Sequence, residues 1–280
     1  LIPLSNVMIT FSLVSGGISV AALFMAGSIP GILWGLVCMI VIYIFAKKKG
    51  YKSTSSFKGK EKLMVIWQAL PSLLMIVIVI GGIIGGIFTA TEGSVVAVVY
   101  TLILSLFFYK TIKFKDLPEI FLASAEMTGI IVFLIGVSSI MSWVMAFTDI
   151  PTLVSNALLG ISNNKYVIFF IINIILLIVG TFMDMTPATL IFTPIFLPIC
   201  QRLGMNVIHF GIMMIFNLCI GTITPPVGTT LFVGVKVGKT RIEQVIQPLL
   251  YYFGAIFIVL LLVSYIPALS LWLPGLLGYV

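Results

Sequence analysis

Long apolar runs, separated by short basic or proline-containing segments, dominate the chain. The runs are continuous and do not alternate with a period of two, so they indicate membrane-spanning helices of about 20 residues each, and not barrel strands. A further apolar run, residues 166–201, is interrupted near its middle. The pattern predicts spans over residues 30–46, 63–88, 92–109, 119–147, 207–235 and 243–266, with further end segments at 7–27 and 267–280.

The composition narrows the class of protein. Of the 280 residues, 61% are hydrophobic and 8% are charged, whereas about 25% of the residues in soluble domains are charged. The net charge of +7 does not indicate nucleic-acid binding, because the basic residues lie in short loops between apolar runs. We therefore predict an all-α polytopic membrane protein that contacts membrane lipid and binds no nucleic acid. Since the sequence begins at Leu1 inside an apolar run, we expect it to be part of a longer polypeptide.

The distribution of basic residues predicts the topology. If the loop 47–62 is cytoplasmic and each span crosses once, the loops 110–118 and 236–241 are also cytoplasmic, provided that 166–201 enters and leaves by the same face. Of the 15 Lys and Arg residues, only Lys165 and Arg202 then lie outside, as the positive-inside rule requires. The charges therefore favour a re-entrant hairpin over 166–201.

The interruption of this hairpin reads Gly180-Thr-Phe-Met-Asp184-Met-Thr186-Pro187. Thr followed by Pro is a typical helix start, so we predict that the second arm begins at Thr186–Pro187, at mid-membrane depth. Asp184 and the free carbonyls at the end of the first arm would offer the hard oxygen ligands that a desolvated Na⁺ requires. A short outer loop between two ordinary helices is the alternative, but an aspartate within a bilayer is costly and usually functional.

A second interruption reads Gly221-Thr-Ile-Thr224-Pro225-Pro226-Val-Gly228. Two prolines inside a span end the preceding helix, and Thr224 before proline predicts a second half-helix N-terminus within the membrane. Irregular backbone at this depth persists only where it lines protein or a water-filled cavity. A simple proline kink is the alternative here.

The start of the chain, Ile2-Pro3-Leu4-Ser5-Asn6, is weakly similar to the Thr-Pro-Pro-Val-Gly segment. The predicted topology sends the chain outward after this segment and inward after Gly228. Two similar interruptions followed by opposite crossings suggest an inverted repeat, an architecture found in many secondary transporters.

Other polar residues lie in or beside the spans. Thr89 and Glu92 belong to the polar segment between two spans, where Glu92 is predicted either to cap a helix or to gate a transport path. Asn217 precedes Thr224 by seven residues, so it lies near the same helix face and can face a cavity. Glu126 lies within a span, where we expect a hydrogen bond that faces the bundle.

The polar residues argue against an enzyme. An intramembrane aspartyl protease needs two facing aspartates, and only Asp184 is predicted at that depth; metal-dependent hydrolysis lacks ligands, because the chain has one His. We therefore predict no catalytic residues, no organic cofactor and no metal other than Na⁺. A channel is an alternative, but a re-entrant hairpin opposite a repeat-related interruption favours a carrier.

These segments resemble the large membrane subunit, DctM/SiaM type, of tripartite ATP-independent periplasmic (TRAP) transporters, over essentially the whole chain. The resemblance implies an elevator-type, Na⁺-coupled carrier of carboxylated solutes in the bacterial inner membrane. It also implies two partners, a periplasmic substrate-binding protein and a small membrane subunit that is separate or fused N-terminally. The matching stretches are Gly180-TFMDMTPATLIFTPIFLP-Ile199, His209-FGIMMIFNLCIGTITPPVG-Thr229, Phe88-TATEG-Ser94 and Leu23-FMAGSIPG-Ile32.

Position by position, the resemblance implies that Asp184–Pro187 is the second hairpin tip and Thr224–Gly228 the loop of the broken helix beside it. Ile2–Ser5 corresponds to the loop of the first repeat, although the family usually has Pro where this chain has Leu4. The resemblance implies that the first hairpin tip precedes Leu1, so we do not expect it among these residues. We predict Na⁺ ligands at Gly180, Asp184, Thr186, Thr224, Val227 and Gly228. We predict substrate contacts at Ser5, Thr186, Pro187, Asn217 and Pro225, with Thr89 and Glu92 as gating candidates.

The resemblance also implies a division of the chain and a range of substrates. The strongest alternative function is a Na⁺/dicarboxylate symporter of related fold that needs no binding protein. C4-dicarboxylates, sialic acid and other sugar or keto acids all remain open as substrates. The predicted regions are 1–29 (end of the first repeat), 30–147 (scaffold and connecting helices), 148–242 (second-repeat transport region with hairpin 166–201 and broken helix 207–235) and 243–280 (C-terminal span).

Overall fold

The computed structural model describes residues 5–50, 59–162, 164–225 and 228–279. These residues are helical with short connections and contain no strand, which confirms the all-α prediction. Within them, five helices are long and apolar enough to cross a membrane. The α-helices are α1 (Asn6–Val14), α2 (Val20–Lys49), α3 (Gly59–Ile84), α4 (Ala90–Ile103), α5 (Leu117–Phe147), α6 (Ile150–Ile161), α7 (Lys165–Phe182), α8 (Met185–Arg202), α9 (Val207–Gly221), α10 (Thr229–Val237), α11 (Ile242–Tyr265) and α12 (Ala268–Leu276).

The start of the chain differs from the prediction. The segment 7–27 is not one element, because α1 ends at Val14 and the next turn contains Gly16 and Gly17 with φ of +95° and +83°. Glycine adopts this left-handed conformation without a Cβ penalty, so the pair ends the helix. The span predicted to begin at residue 30 begins instead at Val20, and Pro30 lies inside α2.

The helices belong to two compact units, of which one comprises Ala46–Ile131. In this unit α3 and α4 form an antiparallel pair: the Tyr100 hydroxyl donates to the Pro71 carbonyl oxygen over 2.8 Å, and Ile83 packs against Gly93. The expectation that Glu126 faces the bundle is wrong for the described structure. The stretch of α5 from residue 118 to 130 is exposed throughout, and Glu126 lies within it.

The other unit comprises Leu1–Phe45 and Val132–Val280, and α9 lies at its centre. Every residue of α9 from Ile208 to Leu218 is buried, as expected for a helix that is apolar on all sides. The most extensive packing is between α7 and α9, while α8, α11, α12 and α1 also contact α9. This arrangement brings the C-terminal ends of α7 and α9, where the two interruptions begin, next to each other.

Candidate functional site

The first interruption is a two-residue break between α7 and α8. Met183 and Asp184 have extended backbone angles, and α8 begins at Met185 with Asp184 as its N-cap residue. The helix thus begins earlier than the predicted Thr186–Pro187, although the predicted break is present. Pro187 is tolerated because the first four N–H groups of a helix have no intrahelical partner in any case.

At this tip, α8 begins with backbone N–H groups that lack hydrogen-bond acceptors among the described residues. The Asp184 side chain is exposed and makes no capping hydrogen bond, while Thr186 and Pro187 are half-buried. No described residue accepts a hydrogen bond from the N–H groups of Met185 or Thr186. The Asp184 carboxylate is therefore free to bind a cation, and the adjacent N–H groups are free to bind an anion.

The second interruption follows α9. The chain tightens into a turn after the last residue of α9. The Ile223 N–H donates to the Ile220 carbonyl oxygen (3.1 Å), and the Thr224 N–H donates to the Gly221 carbonyl oxygen (2.9 Å). The Thr224 hydroxyl also donates to the Ile220 carbonyl oxygen, over 2.7 Å. Its hydrogen is thus committed to the helix, but its oxygen lone pairs can still coordinate a cation. The predicted Na⁺ ligand Val227 lies outside the described residues, whereas Pro225, a predicted substrate contact, follows Thr224 directly and is half-buried.

The second half-helix starts later than predicted. α10 begins at Thr229, with Gly228 as N-cap residue at φ +31°, so Thr224 is not its cap. The Thr222 carbonyl oxygen accepts hydrogen bonds from the Thr230 N–H (3.0 Å) and the Leu231 N–H (3.4 Å). Sequence reasoning missed Thr222, because a backbone carbonyl can cap a helix whatever its side chain. Part of the N-terminus of α10 is therefore satisfied within the chain and is not available to a ligand.

The two interruptions meet through a pair of buried glycines. A Cβ placed on Gly180 would lie 3.1 Å from the Gly221 Cα, and one placed on Gly221 would overlap the Gly180 backbone. Only glycine at both positions lets the ends of α7 and α9 approach so closely. The contact brings Gly180, near the end of the first hairpin arm, to Gly221, where the second interruption begins.

A hydrogen bond between α7 and α11 gives the depth of the hairpin tip. The Asn173 side-chain amide donates to the Ser264 hydroxyl over 3.1 Å, so these two residues lie at similar height. Phe182 follows Asn173 by nine residues, or about 14 Å of helix. The same distance along α11 from Ser264 reaches Ala255, near the middle of Ile242–Tyr265. The tip is thus level with the middle of a helix that is long and apolar enough to span a bilayer.

Asn217 lies in a buried polar network and not on an open surface. Its side chain is fully buried, and its Nδ2 donates to Asn173 Oδ1 and to the Met213 carbonyl oxygen. Its Oδ1 has no partner among the described residues. The network, which continues to Ser264 on α11, connects three helices at a level about 14 Å along α7 from the tip. A direct contact between Asn217 and substrate would require the side chain to leave this network.

The remaining predicted residues occupy helix starts. Ser5 is the N-cap residue of α1; its side chain makes no capping bond, and its carbonyl oxygen accepts from the Met8 N–H over 3.1 Å. Thr89 and Glu92 form a capping box at the start of α4, in which the Glu92 carboxylate accepts from the Thr89 N–H (2.8 Å) and hydroxyl (2.9 Å). Of the two roles predicted for Glu92, the structure shows capping; gating stays a prediction.

His209 performs a structural role that sequence reasoning missed. Its Nε2–H donates to the Val263 carbonyl oxygen over 2.7 Å, and the side chain is 2% exposed. In a continuing helix that carbonyl would accept from the residue four positions later, which is Pro267 and has no N–H. Pro267 was visible in the sequence, but the burial of the Val263 carbonyl and its approach to His209 were not.

A helical membrane unit in which two interrupted segments meet, one of them with an uncapped carboxylate at its tip, is typical of a secondary transporter. The comparison with protein families agrees: residues 1–269 match the family described as the tripartite ATP-independent periplasmic transporter, DctM component. The chain belongs to this family, which is a family of transporters and not of enzymes.

Three relatives show the range of this similarity. The chain is 52% identical over 276 residues to the uncharacterized protein YgiK of Salmonella typhimurium, covering 99% of this chain and 63% of YgiK. It is 37% identical over 276 residues to the isethionate TRAP transporter permease protein DctMQ of Oleidesulfovibrio alaskensis, covering 98% of this chain and 43% of DctMQ. It is 38% identical over 278 residues to the C4-dicarboxylate TRAP transporter large permease protein DctM of Pseudomonas aeruginosa, covering 99% of this chain and 65% of that protein. The chain thus spans less than two thirds of the length of each relative.

Proposed function

We propose that this chain is part of a Na⁺-coupled secondary transporter that takes up an organic acid across the bacterial inner membrane. A periplasmic binding protein would deliver the substrate, and a small membrane subunit, separate or fused, would complete the complex. The observation that supports this proposal most strongly is the contact between Gly180 and Gly221, which brings two helix interruptions together in a chain of the DctM family. The relative named DctMQ, which matches over 43% of its length, supports the possibility of a fused subunit.

In this proposal Na⁺ binds between the two interruptions. The Asp184 carboxylate supplies the negative charge, because it makes no capping bond that would compete for it. The Thr224 hydroxyl oxygen and the Gly180 backbone carbonyl supply neutral oxygens, together with the predicted ligands at Thr186, Val227 and Gly228. Oxygen ligands of this kind suit a hard cation, and burying them unpaired would otherwise be unfavourable.

The substrate anion binds next to the ion. The unpartnered N–H groups at the start of α8 are the donors that the described structure offers, so Thr186 and Pro187 lie at the anion-binding end of the site. Bound Na⁺ stabilises the nearby anion, and by linkage the anion strengthens Na⁺ binding equally. This coupling lets the inward Na⁺ gradient drive uptake. Movement of the loaded unit across the membrane, the elevator mechanism, completes the proposal.

The relatives suggest which acids to test. Their names refer to C4-dicarboxylates and to isethionate, which is a sulfonate. Recognition of the anion by backbone N–H groups would accept either kind of acid. We therefore propose an organic acid as the substrate class, with C4-dicarboxylates, sialic acid and isethionate as the first compounds to assay.

The test is Na⁺-driven uptake by the full-length protein, reconstituted in liposomes with its small subunit and binding protein. Asp184→Asn removes the charge and keeps the shape, so we expect the Na⁺ concentration for half-maximal uptake to rise roughly tenfold or more. Asp149→Asn is the matched control, because Asp149 is exposed, makes no capping bond and has a left-handed backbone that asparagine also adopts.

Two outcomes decide the proposal. Uptake by Asp184→Asn with unchanged Na⁺ dependence would reject the ion site. Omitting the binding protein distinguishes the alternative function, since uptake at the full rate without it would indicate a Na⁺/dicarboxylate symporter that needs no such partner. Membership in the DctM family favours dependence on the binding protein.

A further inference from the structure

An apolar cleft of about 460 Å³ lies beside both interruptions. Its walls come from the last turns of α7, the end of α9 and the middle of α11, including Phe182, Thr224, Phe253, Gly254 and Phe257. Two of these walls, α7 and α11, are helices long and apolar enough to span a membrane. The cleft is open, and Phe182 in its wall is 61% exposed. The opening of the cleft therefore lies at the depth of the bilayer interior.

The cleft offers almost no polar surface. The two hydroxyl groups in its walls donate to carbonyls of their own helices: Thr181 to Ile178 and Thr224 to Ile220, each over 2.7 Å. Neither hydroxyl hydrogen is available to a polar ligand in the cleft. A hydrocarbon chain is the class of ligand that matches such a lining, because each buried CH₂ group contributes favourably without a polar partner.

A basic turn lies at the end of α11 that the predicted topology places in the cytoplasm. Lys236, Lys239 and Arg241 are all exposed and precede the first residue of α11, and Glu243 in its first turn is the nearest acid in sequence. The turn therefore keeps a net charge of about +2. Such a cluster at the cytoplasmic surface attracts the phosphate of an anionic lipid.

The spacing between the basic turn and the cleft matches one lipid molecule. Phe253 lies eleven residues after Ile242 and Phe257 fifteen, so the cleft is roughly 17–23 Å from the start of α11. A lipid tail extends through half of the hydrocarbon core, about 15 Å, and the headgroup region adds several Å more. A headgroup at residues 236–241 would therefore place the end of its acyl chain in the cleft.

We infer that a phospholipid with an anionic headgroup binds here, with its phosphate at the basic turn and one acyl chain in the cleft. The chain end would contact Phe182 and Thr224, the residues that flank the two interruptions. If the proposed transport function holds, an occupied cleft stabilises both interruptions in the arrangement described here. The binding itself does not depend on that function.

The experiment is lipid titration of the full-length protein, followed by native mass spectrometry, with phosphatidylglycerol and phosphatidylcholine as probes. Gly254→Phe fills the cleft, and a Cβ at Gly254 meets no atom within 4 Å, so the variant should fold. Gly136→Phe is the matched control, since Gly136 is also helical and exposed with no atom within 4 Å. A triple variant, Lys236→Gln with Lys239→Gln and Arg241→Gln, removes the basic turn.

We expect the wild type to bind phosphatidylglycerol roughly tenfold more tightly than phosphatidylcholine. Gly254→Phe should lose one tightly bound lipid of either kind, whereas Gly136→Phe should lose none. The triple variant should keep that lipid but lose the preference for phosphatidylglycerol. If Gly254→Phe binds lipid as the wild type does, the inference is overturned. That result would indicate that another part of the full-length chain occupies the cleft. The readout is independent of Na⁺ and of uptake, so a failure of the transport proposal would not alter it.

Discussion

Replacing Gly221 by alanine should force the two interruptions apart. A Cβ on Gly221 would lie 2.5 Å from the Gly180 carbonyl oxygen, whereas atoms in favourable contact are about 3.5–4.0 Å apart. The ends of α7 and α9 would therefore have to separate by roughly 1 Å. Because the obstacle is backbone, no change of rotamer relieves the overlap. We expect the free energy of unfolding to fall by about 1–3 kcal/mol and the Na⁺ dependence of uptake to weaken with it.

A graded series of alanine variants tests this reasoning. Alanine at Gly180 is milder, because its Cβ would lie 3.1 Å from the Gly221 Cα and 3.4 Å from the Leu218 Cα. Gly160 is the control: it is helical and exposed, and a Cβ there meets no atom within 4 Å, so alanine should stabilise by about 0.4–1 kcal/mol. Denaturant unfolding of the purified full-length variants in detergent measures the order of their stabilities. Equal stabilities of Gly221→Ala and Gly160→Ala would refute the close approach of the two helices.

Three further predictions concern the same unit, each measured by thermal unfolding. Gly228→Ala should destabilise by about 1–3 kcal/mol, because φ is +31° and the new Cβ would lie 2.8 Å from a backbone oxygen; wild-type stability would show that the left-handed turn is not needed. His209→Phe should cost about 1–3 kcal/mol by leaving the Val263 carbonyl without a donor, and His209→Gln should recover part of it; no loss in the Phe variant would contradict that role. Asn173→Leu should destabilise more than Asn217→Leu, because Asn217 already has an unpartnered oxygen, and equal losses would argue against the network.

The interrupted segments could be predicted because their signals are local. Glycine, threonine and proline within a long apolar run identify where a helix stops, and both predicted interruptions are present after α7 and α9. The exact helix starts could not be predicted in the same way. Pro187 is compatible with any position in the first turn of α8, since none of those N–H groups needs an intrahelical partner. A Thr–Pro pair therefore leaves the N-cap uncertain, and the N-cap residue is Asp184.

The contacts that assemble the site could not be derived from a single sequence. Gly180 and Gly221 lie 41 positions apart, and each alone is typical of an ordinary helix-end glycine. The periodicity of hydrophobic residues shows that α9 is apolar on all sides, but it does not show which helices surround it. Asn217 illustrates the consequence, because its position near the face of Thr224 suggested a cavity, whereas its amide lies in a buried network with Asn173.

The most direct measurement is equilibrium binding of ²²Na⁺ to the purified full-length protein in the absence of any gradient. Binding removes the contributions of partner proteins, substrate choice and movement, and reports only on the ion site. We expect saturable binding by the wild type and by Asp149→Asn, and an affinity weakened roughly tenfold or more by Asp184→Asn. Wild-type affinity in Asp184→Asn would contradict a Na⁺ site between the two interruptions.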